Sequence, residues 1–193
     1  MSLYVSGAWM KIKKMVFFPI LAVVGKLRPR LGTRLAIWFY RMAGMNFVGT
    51  PTFVSTDVWF DGSQNYKLIT LHEGCNISSG VRVLTHDWSP YCTLRALGRS
   101  EKSAVGRLLP VEVGPHAFIG MGAILMPGAK VGRGAIVGAG AVVRGNIPDF
   151  SVVIGNPAKI IGDSRDYVSR KFPKEWSELP SDSQIKEVGQ MLL

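Results

Sequence analysis

The sequence predicts an all-β solenoid, in which short strands stack as successive parallel coils, and two regularities carry the prediction. An aliphatic residue recurs at every sixth position: Val113, Ile119, Leu125, Val131, Val137 and Val143. Alanine fills the fifth place of five consecutive sixes: Ala117, Ala123, Ala129, Ala135 and Ala141. A period of six fits neither a helix, at about 3.6, nor a two-faced strand, at about 2. The repeat therefore predicts a strand and a corner in alternation, with the aliphatic side chain inward.

Glycines occupy the second or fourth place of these sixes, where we expect them to supply the positive φ of the corners. They are Gly114, Gly120, Gly122, Gly128, Gly132, Gly134, Gly138 and Gly140. The same register continues upstream, with Asn65 as a misfit, through Phe47, Phe53, Trp59, Leu71, Ile77 and Val83. Because Phe53 and Trp59 are large for inward positions, we expect a wide or distorted first coil. Cys75 falls at an alanine position, which indicates a small buried residue.

These sixes resemble the hexapeptide-repeat acyltransferases, and surface-polysaccharide O-acetyltransferases in particular. Two further segments are similar to that family: Gly145–Ile161 (GNIPDFSVVIGNPAKII) and Val81–Asp87 (VRVLTHD). The resemblance covers about residues 47–162. It implies a left-handed parallel β-helix with triangular coils, acetyl-CoA as co-substrate without a metal, and a homotrimer whose sites lie between coils of neighbouring subunits.

Three regions are expected along the chain. Residues 1–46 form a basic, apolar helical segment, residues 47–162 form the β-helix with an extruded loop at 88–110, and residues 163–193 form a helical tail that Ser181 or Ser183 could cap. The apolar run Met15–Gly25 has eleven residues, whereas a membrane span needs about twenty. We expect two short helices broken near Pro29. They pack on the end of the solenoid or in a subunit interface or, alternatively, residues 1–30 contact a membrane surface.

The net charge of +10 on 193 residues fits an anionic membrane surface or an acidic ligand such as the CoA phosphates. No recognition helix, zinc spacing or aromatic RNA-binding motif is present, so a nucleic-acid partner is not expected. Cys75 and Cys92 make no disulfide framework. The expected location is therefore the cytoplasm, with peripheral contact at the inner face of the membrane as an alternative.

His86 is the candidate catalytic residue. In the resembling family, the histidine of such a Thr-His-Asp segment is the general base. A neutral imidazole suits this role, because the acceptor hydroxyl or amine must lose a proton as it attacks the thioester. Asp87 is a poor partner for the ring because neighbours on a strand point to opposite faces. A backbone carbonyl or Asp61 is the better candidate.

The remaining site predictions concern the co-substrate and the acceptor. Asp61 is either near the acceptor or a turn residue before Gly62, and His116 is either an exposed corner residue or part of the acceptor or CoA cleft. The resemblance implies that small residues let the pantetheine approach and donate backbone N–H groups, and that two basic residues meet CoA phosphates. These six residues are Gly122, Ala123, Gly140, Ala141, Arg144 and Lys159. The three histidines are too dispersed to predict a zinc site.

Together these features predict an acetyl-CoA-dependent O-acetyltransferase in which the acceptor attacks directly. The acceptor is expected to be a sugar hydroxyl of a surface polysaccharide or of its lipid-linked precursor. Two alternatives stay open: N-acetylation of a nucleotide-linked amino sugar, and a β-helix scaffold without catalysis.

Overall fold

Three sheets of short strands form the centre of the molecule, and the chain visits them in rotation. The structure is a computed structural model that describes residues 17, 19–61, 65–98 and 106–178. Sheet A contains β1 (Asn46–Val48), β4 (Ile69–His72), β9 (Val111–Val113), β12 (Lys130–Val131) and β15 (Asn146–Ile147). Sheet B contains β2 (Phe53–Val54), β5 (Asn76–Ile77), β10 (Phe118–Ile119), β13 (Ile136–Val137), β16 (Ser151–Ile154) and β17 (Lys159–Asp163). Sheet C contains β3 (Trp59–Phe60), β6 (Arg82–Val83), β11 (Ile124–Leu125) and β14 (Val142–Val143).

Neighbouring strands of the regular part are parallel, and their paired residues lie three sixes apart. Phe118 pairs with Ile136, and Ile124 pairs with Val142. The six repeated aliphatic side chains of residues 113–143 are at most 2% exposed, and the five repeated alanines are fully buried. The predicted inward stacking is therefore confirmed for this part of the chain.

The first coil departs from the predicted register by one residue. Val54 and Phe60 are buried there, whereas Phe53 is only half-buried and Trp59 is 51% exposed. Val54 pairs with Ile77 and Phe60 pairs with Val83, both of which are fully buried. The prediction that Phe53 and Trp59 point inward was wrong, because seven residues rather than six separate the inward positions 47 and 54. A 3₁₀ turn, Tyr66–Leu68, then leads into β4.

The two glycine positions of the repeat have different roles. The fourth-position glycines have positive φ, for example Gly122 at 67°. The second-position glycines do not have positive φ. Instead they allow close stacking: a Cβ on Gly120 would lie 2.6 Å from the backbone nitrogen of Ala139 in the next coil. The prediction that both positions supply positive φ was therefore wrong for the second position.

Helices cover the first coil. Residues 19–27 are helical, and a second helix, Pro29–Met42, begins after a break at Arg28, as predicted. The second helix buries one face against β2, where the Thr33 hydroxyl donates to the Val54 carbonyl at 3.2 Å. Within the described ranges, no helix has both the length and the apolarity needed to cross a membrane. Residues 1–16 and 18, part of the predicted membrane segment, lie outside the described residues.

The chain leaves the coils between β6 and β9. This excursion was predicted as a loop at 88–110, but the structure shows a hairpin and a helix. Strands β7 (His86–Asp87) and β8 (Arg107–Leu108) pair in antiparallel fashion, and the helix Ser89–Ala96 follows β7. None of the helix residues is buried. The helix begins with a proline in its first turn, where the missing N–H costs no hydrogen bond.

The C-terminal end of the coils is closed by a hairpin and two helices. β17 pairs antiparallel with β16, and Asp163 then caps the helix Ser164–Lys171 by accepting from the Arg165 backbone N–H at 2.8 Å. A last helix, Pro173–Ser177, follows. The predicted cap at Ser181 or Ser183 lies outside the described residues.

Candidate active site

The candidate site lies where the chain turns from sheet C to sheet A, which we call the C–A corner. Asp61 follows β3, and the segment 84–86 follows β6. Because β3 and β6 pair in parallel, the two segments leave sheet C side by side, and Asp61 N–H donates to the Val83 carbonyl at 2.9 Å. The Asp61 carboxylate is thereby held beside Thr85 and His86.

Asp61 is the centre of the hydrogen bonds at this corner. Its Oδ2 accepts from the Thr85 backbone N–H at 2.9 Å, from the Thr85 hydroxyl at 3.1 Å and from His86 Nδ1. The Asp61 side chain is 12% exposed and the His86 side chain 37%. The histidine ring therefore contacts a largely buried carboxylate while part of it remains open to solvent.

The electrostatics of the corner favour an ionised Asp61. Burial alone would raise the pKa of this carboxyl, but the hydrogen bonds from Thr85 and His86 outweigh burial and hold the pKa below its ordinary value. An ionised carboxylate only accepts hydrogen bonds, so His86 Nδ1 must carry the proton of the shared bond. In the neutral ring, Nε2 then has the free lone pair and can accept a proton.

Asp87, the sequence neighbour of His86, has a different role. It is paired not with the histidine ring but with the helix that follows: its Oδ1 accepts from the Ser89 backbone N–H at 2.9 Å. The hydrogen bonds from Ser89 lower the pKa of Asp87, and the charges of Arg107 and Arg144 add to this effect. The expectation that Asp87 does not orient His86 is confirmed.

The hairpin formed by β7 and β8 brings the chain back to the C–A corner. His86 pairs with Leu108, and the Leu109 N–H donates to the Thr85 carbonyl at 2.9 Å. Both ends of the excursion are therefore fixed beside the Asp61–His86 pair. A segment anchored in this way is placed to shape access to the histidine.

The small residues predicted to bind CoA lie at another corner, where the chain turns from sheet B to sheet C. We call it the B–C corner. Gly122 and Gly140 have open space where a Cβ would lie, whereas Ala123 and Ala141 are fully buried. The four backbone N–H groups are already hydrogen-bonded inside the chain, for example that of Gly140 to the Met121 carbonyl at 2.8 Å. These N–H groups therefore have partners inside the chain, and the two glycines leave room for the close approach of a ligand.

The other predicted residues are spread over the molecule. Arg144 is exposed and follows β14 at the C–A corner, the corner that also holds His86. Lys159 is exposed and starts β17, opposite Ile154, so it lies towards the B–C corner. His116 is exposed at the turn from sheet A to sheet B, with φ of 55° and its ring against Gly74. Of the predicted residues, Asp61, His86 and Arg144 therefore lie at the C–A corner, whereas Lys159 lies towards the B–C corner with the four small residues.

Thr85 is the residue that sequence reasoning missed. It is fully buried, and its backbone and its hydroxyl both bind Asp61. In the sequence Thr85 stands between Leu84 and His86, in a motif in which only the histidine was predicted to take part in the reaction. A threonine at such a position does not by itself predict a functional role. Thr85 has one because it binds the facing Asp61.

No metal site is evident at this corner. Within the part of the chain that the structure describes, no three residues among the histidines, cysteines, aspartates and glutamates are grouped to hold a metal ion.

Comparisons with known proteins agree with this architecture. Residues 110–145 match the family described as bacterial transferase hexapeptide (six repeats). Protein CapG of Staphylococcus aureus is 36% identical over 130 residues, which are 67% of this chain and 72% of CapG. Nodulation protein L of Rhizobium meliloti (strain 1021) is 43% identical over 94 residues, which are 49% of this chain and 48% of that protein. The chain thus spans only about half of nodulation protein L.

A solved structure with a similar fold is a galactoside acetyltransferase in complex with coenzyme A. The TM-score is 0.53 with 17% sequence identity, and the match covers 94% of each chain. At this identity the likeness concerns the fold. The family match over the hexads and the coverage of CapG decide the assignment, and they confirm the prediction from the sequence: the chain belongs to the family of hexapeptide-repeat bacterial transferases.

Proposed function

We propose that this chain is an acetyl-CoA-dependent O-acetyltransferase that acts on a sugar hydroxyl, with His86 as the general base. The observation that carries the proposal is the contact between His86 Nδ1 and the ionised, largely buried Asp61. This contact leaves Nε2 as the proton acceptor of a partly exposed ring. A transferase that activates a hydroxyl needs such a group.

The reaction follows from this arrangement. Nε2 of His86 takes the proton of the acceptor hydroxyl as its oxygen attacks the thioester carbonyl of acetyl-CoA. The tetrahedral intermediate collapses, the C–S bond breaks, and the CoA thiolate takes the proton back from the imidazolium. Asp61 stabilises the imidazolium that forms between these steps.

We favour direct attack over an acyl-enzyme because neither cysteine is placed as a nucleophile. Cys75 is fully buried in a coil corner, and burial raises the pKa of its thiol to about 12. Cys92 lies on the exposed helix of the excursion. Both thiols are free, which is compatible with a reducing cytoplasm as the site of the reaction.

We propose further that the coils form a left-handed parallel β-helix over residues 47–162, with helical segments at 1–46 and 163–193, and that three copies assemble. The rotation of the chain through three parallel sheets supports the β-helix. Exposed apolar side chains on sheet B and at the B–C corner, including Phe118, Met121 and Ile154, support an interface. In such a trimer the B–C corner of one copy lies beside the C–A corner of the next.

The shared site would accommodate the two substrates as follows. Gly122 and Gly140 leave open surface for the pantetheine arm, and Ala123 and Ala141 line the buried side of the same corner. Lys159 and Arg144 are exposed cations available to CoA phosphates. Asp61 acts on the acceptor side through His86, whereas His116, at the turn from sheet A to sheet B, lies at neither of these two corners.

Two features of the chain indicate the class of acceptor. The resemblance of the chain to surface-polysaccharide O-acetyltransferases favours a sugar hydroxyl of such a polymer. The basic, apolar N-terminus favours its lipid-linked precursor. N-acetylation of a nucleotide-linked amino sugar and a non-catalytic scaffold are the alternatives.

The test is a panel of candidate acceptors incubated with acetyl-CoA, with free CoA measured by chromatography. We expect one class of sugar hydroxyl to release CoA, and His86→Ala to lower this rate at least about a hundredfold. His72→Ala is the matched control, because His72 bonds to Glu112 at 2.7 Å on sheet A, away from the corner. Near-full activity of His86→Ala would reject the assigned base, and calorimetry without heat from acetyl-CoA would favour a scaffold.

A further inference from the structure

The outer face of the helix Pro29–Met42 carries an apolar stripe beside a basic one. Leu31, Trp38 and Met42 are 42%, 58% and 69% exposed, and spacings of seven and four place them on one side of the helix. Arg30 and Arg34 are also exposed and lie along the adjacent side. The opposite side is the one packed on the first coil.

The preceding helical segment repeats this pattern. Ile20, Val23 and Leu27 are 54%, 58% and 77% exposed, and spacings of three and four again place them on one side. Lys26 is exposed next to Leu27. Burying such side chains in an apolar phase is worth about 1.5–3 kcal/mol each, so two successive helices present apolar surface that the described part of the chain does not cover.

The charge of this region has one sign. Residues 1–56 contain eight lysines and arginines and no aspartate or glutamate, so they carry eight of the ten net positive charges. Arg28, Arg30 and Arg34, together with Pro29 and Leu31, line an open cavity. Several guanidinium groups around one cavity suit a phosphate, because each can donate two parallel hydrogen bonds to it.

We propose that this face, formed by residues 20–42, binds the surface of an anionic phospholipid bilayer. The arginines contact headgroup phosphates, and the apolar stripes enter the interface, where tryptophans such as Trp38 are favoured. Charge complementarity selects this partner, since cations near an anionic leaflet each add to binding. A second copy that presented the same face would place arginines against arginines.

The experiment is co-sedimentation of the full chain with vesicles. We expect pelleting with vesicles that contain phosphatidylglycerol, little with phosphatidylcholine alone, and a decline as salt rises. Arg30→Gln with Arg34→Gln should weaken partitioning about tenfold or more. Leu31→Ser with Met42→Ser should weaken it by a similar factor.

The matched control is Lys171→Gln with Lys174→Gln, which removes the same charge at exposed positions beyond β17. It should pellet like the unchanged chain. Equal pelleting of the two charge variants would overturn the proposal, even if the chain itself binds vesicles, because the binding would then not depend on this face. Self-association without vesicles that the Leu31→Ser, Met42→Ser variant abolishes would also overturn it, in favour of a second copy. Neither result depends on acetyl transfer, so these measurements test membrane binding independently of the proposed acetyltransferase activity.

Discussion

The regular coils between residues 111 and 143 and the corner around Asp61 and His86 share a backbone plan but differ in what they bury. Every buried side chain of the regular coils is apolar. At the corner, the chain buries a carboxylate and the threonine that binds it. The interior of the repeated coils is therefore apolar, and the buried polar groups lie at the corner around Asp61, where the sequence repeat is interrupted.

The difference has an energetic basis. Burying a charged carboxylate without partners is costly, and hydrogen bonds must compensate. At the corner, Thr85 supplies two of these bonds and His86 the third. On sheet C, β6 pairs with β11 of the regular coils and β3 pairs with β6, so the stacked strands hold the polar groups in their geometry.

We expect the largest loss of stability from a substitution in the regular coils. Leu125 is fully buried, and it pairs with Val83 and Val143 in the coils on either side. Leu125→Ala should lower the free energy of unfolding by about 2–5 kcal/mol, because the rigid stack cannot close the cavity. Urea unfolding followed by circular dichroism measures the change. Leu97→Ala, at a site 71% exposed in the excursion, should stay within about 0.5 kcal/mol, and equal losses would refute the comparison.

The next effect tests how tightly the coils stack. In Gly120→Ala the new Cβ meets backbone atoms of the next coil at 2.6–2.8 Å, so the backbone must shift at a cost of about 3 kcal/mol. In Gly122→Ala the methyl enters open space and only the left-handed backbone is penalised, by about 1 kcal/mol. The same unfolding measurement compares them. A larger loss in Gly122→Ala would contradict the assigned roles.

On the irregular side, Asp61→Asn should lower kcat by at least about tenfold, or about 1.4 kcal/mol. The amide can donate to Nδ1, which would place the proton on Nε2 and remove the base. The KM for acetyl-CoA should change little, since Asp61 acts through His86. Initial rates over a range of both substrates separate the two parameters, and an unchanged kcat would remove Asp61 from the mechanism.

Much of the fold was predictable because the repeat imposes one inward position per six residues, as Val113 and Leu125 show. The one-residue shift of register at Val54 was not predictable, because one added residue between β1 and β2 does not change the composition. The helix Ser89–Ala96 was missed because it buries none of its residues, so it has no apolar periodicity to detect. Asp61 could be proposed as the partner of His86, whereas Thr85 became evident only when β3 and β6 were paired.

The smallest perturbation concerns the two cysteines, one inside a coil and the other in the excursion between β7 and β8. Cys75 occupies an alanine position of a coil and is fully buried, and burial raises its pKa to about 12. Cys92 lies exposed on the excursion helix. A cysteine thiolate attacks the disulfide of a reagent such as DTNB and releases thionitrobenzoate, so the native chain should react at Cys92, with Cys75 following only on unfolding. Cys92→Ser, the matched variant, should leave native protein nearly unreactive. Rapid labelling of Cys75 in that variant would mean that the coils open far more readily than their uniform packing implies.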